Sequence, residues 1–244
     1  VPYFQGQFDA RTHILCGAEA LARWEHPKKG ILPPSVFLDV AESLNVMGTI
    51  DAMILEKAIV ELGIWRLKGL KIPRISVNVS PKRLGDKDLI NHIKTLDFDP
   101  SSVTFELVES TFLDKSDAMV AWNIDQIRNM GMDIEIDDFG TAYASIVSLT
   151  QLLPTRLKID RQLVSPTVGS KSRRELVQSI VDIGHSLDIG VVAEGVETMQ
   201  HATVMRELGC DILQGFAFAR PVSSQDFLRA QLPQQKLRNI FKTG

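Results

Sequence analysis

Apolar residues along the 244-residue chain fall into two alternating patterns. Short runs rich in valine, isoleucine and phenylalanine give way to longer stretches in which apolar residues recur every third or fourth position. The runs at Val1–Asp9, Cys16–Trp24, Arg74–Val79, Val103–Glu109, Met132–Asp137, Arg156–Ile159 and Ile189–Ala193 predict strands, and Asp211–Phe218 holds a last short one. Helical spacing predicts helices from Pro33-Pro34-Ser35 onward and over Asp51–Leu67, Lys87–Thr95, Lys115–Met130, Arg173–Leu187, Met199–Leu208 and Ser223–Gln231. Gly131 and Gly209 follow two of these helices, where a left-handed residue closes the last turn and glycine adopts it at no steric cost.

Strand and helix alternate through most of the chain at roughly the 30 residues that one strand–helix–strand unit requires. That rhythm argues for a parallel sheet covered by helices, and seven to eight strands favour closure into an α/β barrel, a fold of about 250 residues. No linker, low-complexity tract or clear repeat interrupts the pattern, so residues 1–244 read as one domain. Its abrupt extended start suggests a piece of a longer, multidomain signalling protein.

Several apolar runs end on polar residues: Glu19, Asn78, Glu106, Asp137, Asp138, Lys158, Glu194 and Gln214. A strand that ends on a carboxylate loses hydration energy unless the tip is wet or holds a cation. In series, such tips point to one shared mouth filled by metal. Carboxylate and amide oxygens are hard donors that suit Mg²⁺ or Mn²⁺ rather than zinc. Adjacent Asp137 and Asp138 can serve two ions, the arrangement that clamps a phosphodiester for displacement. Lys158 is the one cation of the set and can orient the attacking hydroxide or help remove its proton.

Charge and composition narrow the field further. With 27 basic and 30 acidic residues the net charge is −3, which leaves no footprint for duplex nucleic acid or an anionic membrane. A small anionic substrate held through metal ions stays open. The two cysteines, Cys16 and Cys210, lack ligand spacing and point to a reducing, cytoplasmic setting. No apolar run approaches the roughly 18 residues of a membrane span, so this domain is expected to make no membrane contact.

The ordered motifs carry a resemblance. Glu19-Ala20-Leu21, Asn78-Val79-Ser80, Glu106-Leu107-Val108-Glu109-Ser110, Asp137-Asp138-Phe139-Gly140-Thr141, Leu157-Lys158-Ile159-Asp160, Ala193-Glu194-Gly195-Val196-Glu197-Thr198 and Gln214-Gly215 follow one another over about residues 3–222. Together they resemble the EAL-domain cyclic di-GMP phosphodiesterases of bacterial second-messenger signalling. The resemblance implies a modified (β/α)8 barrel whose first strand is antiparallel to the rest, hydrolysis of cyclic di-GMP to linear pGpG, and a homodimer. It implies Glu19, Asn78, Glu106 and Asp137 as ligands of a first ion, and Asp137, Asp138 and Glu194 as ligands of a second. Lys158 then activates water, Glu197 and Gln214 hold water or support the ligands, Gln5 and Arg23 bind substrate, and Glu109 anchors the loop after Asp138.

That loop departs from the family pattern at Ala142 and Ala144, where glycine and serine are usual, so weakened metal binding or dimerisation is expected there. A competing reading is a catalytically silent receptor that binds cyclic di-GMP and signals through a partner. A third is an interaction platform without nucleotide, which would leave the metal set purposeless. Among the remaining polar residues, Asp160 is expected to cap the short helix after its strand, and Glu135 to alternate outward with Asp133. Trp24, Trp65 and Trp122 are expected in the core, with Cys210 as a small buried hydrophobe.

Overall fold

A computed structural model describes residues 1–108, 118–140, 149–150 and 152–242, with the backbone alone for 236–242. Strands β1 (Pro2–Asp9) and β2 (Leu15–Ala22) form a hairpin whose turn is closed by Asp9, Oδ1 accepting from the Thr12 amide at 2.7 Å and the Arg11 amide at 3.1 Å. A second, smaller hairpin, β3 (Trp24–His26) with β4 (Gly30–Leu32), precedes α1 (Leu38–Ser43) and the long α2 (Met47–Leu67). The chain continues through β5 (Ile75–Asn78), α3 (Pro81–Leu84), α4 (Leu89–Lys94), β6 (Val103–Val108), α5 (Ala118–Asn129) and β7 (Asp133–Phe139). Strand β8 (Arg156–Ile159), helices α6 (Arg161–Val164) and α7 (Lys171–Ser186), strand β9 (Gly190–Ala193), helix α8 (Met199–Glu207), strand β10 (Ile212–Leu213) and helix α9 (Ser224–Lys242) complete it.

Eight of these strands close into a barrel in the order β1-β10-β9-β8-β7-β6-β5-β2. Every pairing is parallel except those of β1, which runs antiparallel to β2 and β10. The modified (β/α)8 barrel with a reversed first strand is thus observed. Predicted strands fall within two or three residues of the observed ones. The β3–β4 hairpin was not predicted, because its runs are only three residues long and four of its six strand residues are exposed.

Side-chain alternation divides the barrel wall into two faces. Ile134 and Ile136 of β7 are buried apolar residues of one face, while Asp133, Glu135 and Asp137 share the other. Glu135 is fully buried and its Oε1 lies 2.5 Å from Arg156 Nε, with Arg74 reaching Asp133 at 2.6 Å beside it. The expectation that Glu135 turns outward is therefore corrected. Closure of this barrel leaves neither face of β7 to solvent, so the side that carries Glu135 is covered and pairs with Arg156. The interior here carries charge pairs near the strand starts and the conspicuous carboxylates at the strand ends.

Trp65 is fully buried between Phe4 and Phe227, at ring-centroid distances of 4.6 Å to each, and ties α2 and α9 to β1. Trp24 and Trp122 are 45% and 46% exposed, so the core holds one of the three tryptophans rather than all of them. Trp24 belongs to the small hairpin and Trp122 to the outer side of α5, faces that the apolar pattern alone does not distinguish. Cys210 is buried as expected, and Asp160 caps α6 by accepting from the Gln162 amide at 2.8 Å. Among the described residues no helix is long and apolar enough to cross a membrane.

Candidate active site

Lys158 sits on β8 with its side chain wholly inside the barrel. Its Nζ lies 2.6 Å from Glu194, 2.9 Å from Glu106, 3.3 Å from Asp137 and 3.4 Å from Glu19. Those carboxylates come from β2, β6, β7 and the end of β9, so the barrel closure itself brings them to one point. Burial alone would push Lys158 toward the neutral amine. The surrounding carboxylates, Asp137 foremost, outweigh it and hold the ammonium well above the ordinary lysine range.

Amides frame this cluster. Asn78 at the end of β5 donates to Glu19 at 2.9 Å and to Glu106 at 3.3 Å. Gln214, just past β10, donates to Glu19 at 2.5 Å and to Gln5 Oε1 at 3.2 Å, and accepts from Gln7 at 3.1 Å. Gln5 in turn donates to the Ala219 carbonyl at 2.9 Å. Glu19 is therefore held by Lys158, Asn78 and Gln214 in a buried position rather than at a wet strand tip. Burial pushes its carboxyl up, but Lys158 and the Gln214 hydrogen bond prevail and leave it below its ordinary value. Glu106 goes the other way: burial and the Glu19 charge raise it well above the carboxylate range.

Strand β7 places two consecutive carboxylates at the mouth by breaking its own regularity. Its register to β8 shifts between Ile136 and Phe139, and Asp138 has a left-handed backbone with φ of 55°. In a regular strand adjacent side chains point to opposite faces. The bulge and the turned backbone allow oxygens of Asp137, Asp138 and Glu194 to lie within 4.8 Å of one another. Aspartate tolerates that conformation better than most residues with a Cβ. Burial and the neighbouring Asp137 charge raise Asp138 to about 6, and burial, with Asp137 adding to it against Lys158, raises Glu194 to about 8.

The arrangement fits divalent cations. Five carboxyl groups, Glu19, Glu106, Asp137, Asp138 and Glu194, converge around the single ammonium of Lys158, so negative charge exceeds its compensation. Glu106 Oε1 is buried without a hydrogen-bond partner, a costly state for a carboxylate oxygen unless a cation faces it. All the donors are oxygens of the hard type that magnesium and manganese prefer.

Above the cluster opens a cleft of about 660 Å³, the size expected of a small-molecule site. Gln5, Glu19, Asn78, Asp137, Glu194, Glu197 and Gln214 reach its lining. Arg23 does not: its guanidinium donates to the Ala22 carbonyl at 2.8 Å and lies 5.8 Å from the centre of the Tyr3 ring, beside the cleft. Glu197 pairs with Arg161 at 2.9 Å at the rim. Glu109, Ala142, Tyr143 and Ala144 lie outside the described residues.

Three lining residues were not singled out from the sequence. Asp51 on α2 accepts from the Ser80 amide at 2.9 Å and from its hydroxyl at 2.5 Å, and so fixes the end of β5 that carries Asn78. Its place at the start of the apolar face of α2 was the available signal. Arg161 follows Lys158 by three residues and stands just beyond the strand tip. Phe216, 47% exposed beside Gln214, packs under Arg220 with the guanidinium carbon 4.3 Å from the ring centre.

Comparison with known proteins agrees with this geometry. Residues 1–221 match the EAL domain family. The chain is 36% identical over 230 residues to the cyclic di-GMP phosphodiesterase RocR of Pseudomonas aeruginosa, covering 93% of this chain and 58% of RocR. It is 34% identical over 227 residues to the oxygen sensor protein DosP of Escherichia coli K12, covering 91% of this chain and 28% of DosP. The solved PaMucR phosphodiesterase in complex with c-di-GMP superposes with a TM-score of 0.86 at 33% identity, covering 93% of both chains. The chain thus spans between about a quarter and three fifths of the length of these two curated relatives. With residues 1–221 matched, a closed barrel of the same shape and the barrel carboxylates gathered around one lysine, this chain belongs to the EAL domain family.

Proposed function

We propose that this domain is a metal-dependent phosphodiesterase that hydrolyses cyclic di-GMP to linear pGpG. The observation that carries the reading is the convergence of Glu19, Glu106, Asp137 and Glu194 on Lys158 at the floor of the cleft, with Asp138 and Asn78 beside them. Two Mg²⁺ or Mn²⁺ ions would be held by Glu19, Asn78, Glu106 and Asp137 on one side and by Asp137, Asp138 and Glu194 on the other. When bound, such ions supply an activated water and positive charge for the phosphoryl oxygens.

The protein's own groups then do the positioning. Gln214 and Asn78 hold Glu19 in orientation through its two oxygens. The Lys158 ammonium, ringed by the carboxylates, would orient the attacking water. The cleft, lined on one side by α1 and α2, would seat the dinucleotide with Gln5 in its lining and Arg23 beside it. Attack of the water oxygen on phosphorus breaks the bond to the ribose O3′, which leaves as a hydroxyl, and the product retains a 5′-phosphate. A homodimer and further regulatory domains of the same polypeptide belong to this reading, and the greater length of the relatives supports the latter.

Incubation of the purified domain with cyclic di-GMP and Mg²⁺ tests it, with pGpG as the expected product and full loss of turnover in EDTA. Hydrolysis that persists in EDTA rules out the metal route. Binding without any pGpG supports the silent-receptor reading instead.

A further inference from the structure

Arg161 opens α6 at the rim of the cleft, and its side chain is 62% exposed. Its stem lies across Gly195, a residue with φ of 61°, where an added Cβ would collide with the Cβ and Cγ of the arginine. Glu197 holds the guanidinium at 2.9 Å. The turn Glu194-Gly195-Val196-Glu197 therefore provides a glycine to support the arginine stem and a carboxylate to aim its head, within three residues of a proposed metal ligand.

Among the described residues that line the cleft, Arg161 alone is positively charged. Lys158 is buried and enclosed by four carboxylates, and Arg23 is turned to the Ala22 carbonyl and the Tyr3 ring. Helices α1 and α2 add Asp39, Glu42 and Asp51 to the lining. A cyclic dinucleotide carries two phosphodiesters, each with one negative charge. One belongs at the carboxylate centre, where bound cations compensate it. The other enters a cleft whose charged lining residues are all acidic except Arg161.

We propose that Arg161 binds the second phosphodiester of the substrate, the one that is not attacked, with Glu197 and Gly195 positioning its guanidinium for that contact. This rests on the reading of the domain as a cyclic di-GMP phosphodiesterase. A planar guanidinium suits two phosphate oxygens at once, and a lysine there supplies charge without the fork. The contact selects substrates that carry two phosphates over simple diesters.

The test compares two substrates on the wild-type domain and on Arg161→Gln, Arg161→Lys and Arg161→Glu: cyclic di-GMP, and bis(p-nitrophenyl) phosphate, which has a single phosphodiester. For Arg161→Gln the KM for cyclic di-GMP rises about tenfold, the scale of one charge-assisted contact, while kcat stays within about threefold. The ratio of kcat/KM on cyclic di-GMP to kcat/KM on the simple diester falls by about the same factor, Arg161→Lys recovers part of it and Arg161→Glu loses more. An equal fall on both substrates, or no change on either, overturns the proposal and leaves the phosphodiesterase reading standing. A wild-type domain that cleaves the simple diester but neither binds nor cleaves cyclic di-GMP overturns the substrate reading, and the assignment of Arg161 with it.

Discussion

Lys158 links the packing of the barrel interior to the proposed chemistry. Its ammonium is the shared counter-charge of four carboxylates. Removing one partner of a buried ion cluster leaves charge uncompensated, at a cost of about 3–5 kcal/mol. Lys158→Ala should lower the melting temperature of the domain in EDTA, and added Mg²⁺ or Mn²⁺ should restore part of it. In the same variant turnover should fall about 10²-fold or more, the usual scale for a positioned acid–base group. A variant with an unchanged melting curve would show that the cluster is not held by this charge. Glu19→Ala should abolish turnover, and because Glu19 is buried among Asn78, Gln214 and Lys158 it should also destabilise the metal-free domain, as read by urea unfolding.

The raised carboxyls Glu194 and Asp138 give a pH signature at the same scale. A carboxyl that stays protonated above its unfolded value contributes stability at low pH, and the contribution is lost as pH rises through its folded value. For Glu194 that window runs from the ordinary 4.5 to about 8, so it weakens the metal-free domain over this range. Divalent ions bind the ionised form, and the loss should reverse in their presence. Titration calorimetry in two buffers of different ionisation heat should show protons released on Mg²⁺ or Mn²⁺ binding, with affinity rising between about pH 6, the value for Asp138, and about pH 8, the value for Glu194. Affinity that is flat over that interval would contradict it.

At the scale of elements, the site depends on how strand ends are held. The β7 bulge turns two adjacent aspartates to one mouth, and the Asp51–Ser80 hydrogen bonds fasten α2 to the tip of β5. Gly215 is a third device: a Cβ there would run into the backbone of Val196, so the segment after β10 can approach the turn after β9 only as glycine. That approach sets Gln214 against Glu19, and the Val196 amide donates to the Gln214 carbonyl at 3.1 Å. Gly215→Ala should cost about 1–3 kcal/mol, the range for forced overpacking, and reduce kcat by shifting Gln214. Urea midpoints and initial rates check both, and wild-type values in each would mean that the two turns part freely.

Considered whole, the barrel is closed by its reversed strand. β1 pairs with β2 on one side and β10 on the other, and Phe4 of β1 packs into the Trp65–Phe227 cluster of α2 and α9. Of the two thiols, Cys210 is buried and Cys16, on β2, is partly buried. Burial pushes Cys16 up to about 11 and Cys210 to about 12, so neither is a thiolate at neutral pH. A disulfide reagent such as DTNB at pH 8 should therefore label the native domain slowly and both thiols at once in denaturing urea. Fast labelling of Cys210 without denaturant would show that the β9–β10 side opens locally.

The sequence by itself determined the alternation of strands and helices and the identity of most of the polar strand residues that meet at the site. These are local facts: periodicity sets each element, and a carboxylate that ends an apolar run is visible wherever the run folds. The reversed β1 came from resemblance, since side-chain alternation is the same in either strand direction. Only the tertiary structure decided that Glu135 faces the barrel interior, because inward and outward are defined by closure and not by the strand. It also decided that Asp137 and Asp138 meet at one mouth, which needs a register shift and a left-handed residue that composition does not reveal. Arg161 and Asp51 joined the site for the same reason: each reaches it from another element through contacts between residues distant in the chain, and such contacts exist only once the barrel has closed.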